Sequence, residues 1–99
     1  MGIDFAIEEL YQTGWSALDT SGCEPDDTGR WIPTVQRVIA EFAADGLSLE
    51  LKHVQLFDCF RAEWSDASGS PRGGVVGQSE IEAAVYALAQ LRKTAARQA

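Results

Sequence analysis

A chain of 99 residues, 45% hydrophobic and 23% charged, is long enough for one core, too short for two, and too apolar for intrinsic disorder. Its net charge of −7 argues against nucleic acid as a partner, because affinity for a polyphosphate comes largely from Lys and Arg. The N-terminal residues have neither the basic start nor the apolar run of a secretory leader, and no stretch approaches the ~20 apolar residues of a membrane span. A cytoplasmic protein that neither enters nor binds a membrane is therefore expected.

Ile3, Ile7, Leu10, Gly14 and Leu18 recur at three- and four-residue steps, with Tyr11 and Trp15 widening the stripe. The spacing predicts a first helix over 3–18, with Gly14 the point at which it would break. Residues 19–30 are almost all turn formers without an aliphatic side chain, and read as one long loop. Pro33 suits a first helical position, and Val35, Val38, Ile39 and Phe42 form an amphipathic stripe. Gly46 ends that second helix, with Leu47 placed against Phe42 as in a Schellman stop.

From Leu47 to Trp64 the period changes to two. Leu47, Leu49 and Leu51 share one parity, and Val54, Leu56, Phe60, Ala62 and Trp64 share the other. A β-bulge or sharp bend at Lys52–His53 accounts for both the slip and the excessive length, in preference to a two-residue turn there. Asp66-Ala67-Ser68-Gly69 reads as a type I turn, and Gly73–Val76 as a returning strand that Pro71 and the paired glycines mark as an edge. Ser79 and Glu82 make a capping box, after which Ile81, Ala84, Val85, Leu88 and Leu91 form the longest apolar stripe. The expected architecture is α+β in one domain over 1–99. Its order is α-α-β-β-α, with three helices on one face of a small antiparallel sheet and a frayed C-terminus at 94–99.

The charge is unevenly distributed. Asp4, Glu8, Glu9, Asp19, Glu24, Asp26 and Asp27 precede the first basic residue, Arg30, and from there onward acids and bases cancel. Arg92, Lys93 and Arg97 make the far end basic. Such an acidic segment can solvate the domain, attract a basic protein surface, or attract the basic end of another copy.

Candidate chemistry is sparse. Cys23, Cys59 and His53 are the residues a thiol–imidazole enzyme would use, but no spacing among them enforces contact. Nor do they have the paired spacing of a zinc site, and Glu24, Asp26 and Asp27 lack the pattern of a calcium loop, so neither metal nor cofactor is expected. The glycines from Gly69 to Gly77 precede a helix but lack the Gly-Lys-Ser/Thr of a phosphate loop, and Glu80 and Glu82 would repel an anion. Three tryptophans, Trp15, Trp31 and Trp64, read as core anchors.

The strand–Gly–Ser–helix ending over 54–95 loosely resembles the last part of double-stranded-RNA-binding domains, where a hairpin leads into an Ala-rich helix. That family opens the helix with phosphate-gripping lysines, whereas Glu80 and Glu82 stand here. The resemblance implies architecture and not RNA binding.

The function expected is non-catalytic: a protein-interaction or regulatory module, with homodimerisation as one form of it. Its surface would comprise Asp4, Glu8, Glu9, Glu24, Asp26, Asp27, Leu49, Leu51, Phe57 and Cys59, the last four as an apolar patch on a sheet face left uncovered by helices. The alternatives are a small enzyme using a Cys–His pair, and an acidic decoy that occupies a nucleic-acid-binding protein.

Overall fold

The computed structural model describes residues 3–15, 21–25 and 29–98, with side chains as far as Thr94 in the last helix. In chain order the elements are α1 (Ile3–Gln12), β1 (Cys23–Pro25), β2 (Trp31–Pro33), α2 (Val35–Ala44), β3 (Ser48–Val54), β4 (Cys59–Ser65), β5 (Pro71–Gly77) and α3 (Glu80–Gln98). The domain is α+β as expected, three helices with a small antiparallel sheet of order β3-β4-β5. Helix α3 lies across that sheet, α2 packs beside it on β3, and α1 packs on α3. The hairpin-into-helix ending implied by the resemblance is present as β4, β5 and α3.

Two boundaries differ from the sequence reading. The first helix stops at Gln12, because Gly14 takes φ 86° and turns the chain, while Trp15 folds back edge-on to Tyr11 at a ring distance of 5.5 Å. The stretch 19–30 is not all loop. Cys23–Pro25 pairs antiparallel with Trp31–Pro33, and the Tyr11 hydroxyl donates to the Trp31 carbonyl at 2.7 Å, tying this hairpin to α1. Pro33 thus closes β2 instead of opening α2. Thr34 is the N-cap, accepting from the Arg37 amide at 3.2 Å, which satisfies one of the unpaired N–H groups of the first turn. The far end of α2 is the expected Schellman stop: Leu47 N–H donates to Phe42 and Gly46 N–H to Ala43, each at 3.0 Å, with Gly46 at φ 77°.

The larger correction concerns residues 47–64. These do not form one strand bent at Lys52–His53. They form a hairpin, β3 and β4, closed by a turn at Gln55–Asp58. Its register pairs Leu49 with Trp64, Leu51 with Ala62 and His53 with Phe60, so odd positions of β3 face the same way as even positions of β4. The parity slip is the signature of the turn itself. Leu49 and Leu51 of β3 share one face with Phe60, Ala62 and Trp64 of β4, whereas Val54 lies on the other face and Leu56 in the turn; Leu49, Ala62 and Trp64 are all in the core.

Phe42 meets Trp64 there at a ring distance of 5.3 Å, with Ile7, Leu10, Val38 and Val85 fully buried around them. Two glycines of β5 permit close packing. A Cβ at Gly73 would lie 2.5 Å from Trp64 Cζ2, and one at Gly77 would lie 2.5 Å from the Ala83 amide nitrogen, so the indole crosses β5 and the start of α3 rests on its end. Helix α3 begins at the expected cap: the Glu82 amide donates to Ser79 Oγ at 3.2 Å, and the buried Glu82 carboxylate accepts from the Gln78 amide.

Candidate interaction surface

The site is the end of the β3–β4 hairpin. The Phe57 amide donates to the Val54 carbonyl and the Asp58 amide to the Gln55 carbonyl, each at 3.3 Å, folding four residues into a tight reversal. Asp58 takes φ 47°, a left-handed conformation that Asp tolerates better than most residues. His53 stacks on Phe60 at a ring distance of 4.9 Å and places Nε2 3.2 Å from Asp58 Oδ1, bracing the turn from one side. At the tip, Leu56 is 84% exposed and Phe57 74%. Of the large apolar side chains among the described residues, these two are the most exposed.

Of the residues read from the sequence as an apolar patch, Phe57 is where it was expected. Leu49 and Cys59 are buried and Leu51 packs against the core, so they offer no exposed patch. For Leu49 and Leu51 the reason is the register, which turns the odd positions of β3 toward the helices, whereas Cys59 lies on the opposite face and is buried there. Leu56 was missed for the same reason, having been assigned to the covered face of a continuous strand. The signal available was the length of the stretch together with Asp58, a residue suited to a left-handed turn. The opposite sheet face is polar instead: Lys52 approaches Glu50 and Glu63, and Arg61 Nε lies 2.8 Å from Glu63.

The acidic residues do not form a single unanswered face. Glu9 on α1 pairs with Lys93 on α3, and Asp4 lies 3.8 Å from Arg30. The basic end of the chain thus meets the acidic first helix within the same molecule. Glu8 and Glu24 are exposed, and Asp26 and Asp27 lie outside the described residues.

The three candidates for thiol chemistry are not brought together. Cys59 pairs with Val54 and His53 with Phe60, and consecutive positions point to opposite sheet faces. Cys23 is on β1, where its sulfur lies 3.6 Å from Arg37 Nη1, and neither cysteine is in a disulfide. Among the described residues no three His, Cys, Asp or Glu side chains cluster as metal ligands. A cleft of about 420 Å³ between β5 and α3 is lined by Leu47, Trp64, Gly73, Val75 and Leu91, with Arg72 the one ionisable side chain among its described lining residues. Arg72 is already engaged by Asp66 at 3.1 Å. No helix among the described residues is long and apolar enough to cross a membrane.

No protein-family model, curated protein or solved structure matches this chain.

Proposed function

We propose that this domain is a non-catalytic protein-interaction module that binds through the tip of the β3–β4 hairpin. The observation that carries the reading is the exposure of Leu56 and Phe57, adjacent apolar side chains on a braced turn. Fully burying a Leu or Phe side chain is worth about 1.5–3 kcal/mol, which the isolated domain forgoes at both positions. A short rigid turn presents that surface with little ordering cost on binding. Its apolar character suits a protein surface, whereas a nucleic acid would call for a cluster of cations. Two cysteines outside any disulfide, Cys23 and Cys59, fit work in the reducing cytoplasm.

The test compares the protein with its Leu56→Ser/Phe57→Ser variant. Both positions are exposed, so the variant should keep its circular dichroism spectrum and unfold within about 0.5 kcal/mol of the parent. Affinity capture from native lysate, and self-association by sedimentation, should both be lost. A folded variant that retains every partner and the same sedimentation behaviour would sink the proposal.

A further inference from the structure

The sheet has two edges, and they are built differently. The β5 edge carries Pro71, which has no N–H to donate, the Gly73–Gly74 pair, and a register shift opposite Trp64/Ser65. These are features that blunt an edge against further pairing. β3 has none of them. Ser48–Val54 contains neither Pro nor Gly and runs in unbroken register with β4 from Ser48 to Val54. Its other side pairs with no strand among the described residues. One edge is closed to pairing and the other is open.

The charges on β3 select what pairs with it. Glu50 and Lys52 stand on the solvent face with 72% and 57% of their side chains exposed. Their contacts within the chain are long, 3.9 Å to each other and 3.8 Å from Lys52 to Glu63, which Arg61 already satisfies at 2.8 Å. An antiparallel partner whose helices lie on the same side of the sheet is related by an axis perpendicular to it, and that axis passes through one residue position of β3. Centred on Glu50 or Lys52, the pairing sets like charges opposite each other. Centred on Leu51, it sets Glu50 of each copy opposite Lys52 of the other, twice, and Leu51 against Leu51 on the apolar face. Opposite charges directly across a strand pair attract and like charges repel.

We propose that the partner is a second copy of this chain, joined edge to edge through β3 about a two-fold axis at Leu51. This rests on the interaction reading above and names its partner. The same register accounts for the tip. Val54 of one copy falls opposite Ser48 of the other, so the turn carrying Leu56 and Phe57 runs on alongside Leu47 and the end of α2 of the second copy. The interface is isologous, and both tips are covered at once.

The experiment is sedimentation equilibrium on the full chain and on Glu50→Lys, Lys52→Glu and the Glu50→Lys/Lys52→Glu double variant, with circular dichroism confirming that each is folded. The parent should dimerise. Each single variant sets like charges opposite one another at two sites and should weaken the dimer roughly tenfold. The double variant restores opposite charges and should return to within about threefold of the parent. A parent that remains monomeric at its highest soluble concentration overturns the proposal, while leaving the tip open to a different protein. So does a dimer that ignores all three charge variants yet is lost in Leu56→Ser/Phe57→Ser, which would place self-association at the tip alone.

Discussion

Arg92 Nε donates to Thr13 Oγ1 at 2.8 Å, joining α3 to the chain just past α1. The Thr13 hydroxyl in turn donates to the Leu10 carbonyl at 2.6 Å, beside the Thr13 amide, which donates to the same oxygen at 3.0 Å as the helix ends. One turn of chain is thus closed by a side chain from the far end of the sequence. Arg92→Ala should lower unfolding free energy by about 1–2 kcal/mol, the range for a hydrogen bond from a charged donor discounted for partial exposure. Thr13→Val should cost a similar amount, and the double variant less than the two together. Urea titrations of the four proteins measure the coupling, and strict additivity would show that the contact contributes nothing.

Gly73→Ala tests the packing of Trp64. The added Cβ would meet the indole at 2.5 Å, and Trp64 also packs against Phe42 at a ring distance of 5.3 Å. The indole must shift to admit it, so the substitution should destabilise by about 1–3 kcal/mol as overpacking does. It should also alter tryptophan fluorescence. Gly74→Ala is the internal control: its Cβ would meet nothing closer than 3.4 Å. An unchanged midpoint for Gly73→Ala would mean that the indole is free to move.

The contrast between these elements explains what the sequence made legible. The second and third helices were readable because their signals are local: Gly46 with Leu47 stops one, and Ser79 with Glu82 starts the other. Pairing between strands is not local. The alternation of Leu49 and Leu51 against Phe60, Ala62 and Trp64 was visible, but a parity change is equally consistent with a bulge or a turn, and only the register of β3 on β4 decides. The candidate surface inherited that ambiguity: Leu49 and Leu51 went to the wrong side, and Leu56 was missed. The hairpin of β1 with β2 was hidden for another reason, since each strand is three residues long and too short to show a period.

Asp66 supplies a pH dependence. Its carboxylate accepts from the Ser68 hydroxyl at 2.6 Å and from the Ser70 and Ser68 amides at 3.0 Å, and Arg72 stands beside it. The Ser68 hydroxyl foremost, then the Ser70 amide, hold its pKa below the usual carboxylate value of 3.8. A carboxylate depressed on folding stabilises the fold above its unfolded pKa, and that contribution fades as pH falls through the folded one. The parent should therefore melt higher than Asp66→Asn at pH 5, and the gap should close below pH 3.8. Thermal melts of both proteins across that range check the sign, and a gap that persists to the acid limit would rule out the carboxylate as its source.

Cys59 reports whether the hairpin end is closed. It pairs with Val54 at the last rung before the turn and is only 8% exposed, whereas Cys23 on β1 is half-buried. A thiol reagent should modify Cys23 first in the native protein. In a Cys23→Ser background, Cys59 should react only as the structure opens, at a rate that climbs with urea as unfolding does. A Cys59 that reacts quickly without denaturant would mean that the final rung frays. The turn could then no longer hold Leu56 and Phe57 in a fixed position, and the rigid tip on which the interaction reading depends would be lost with it.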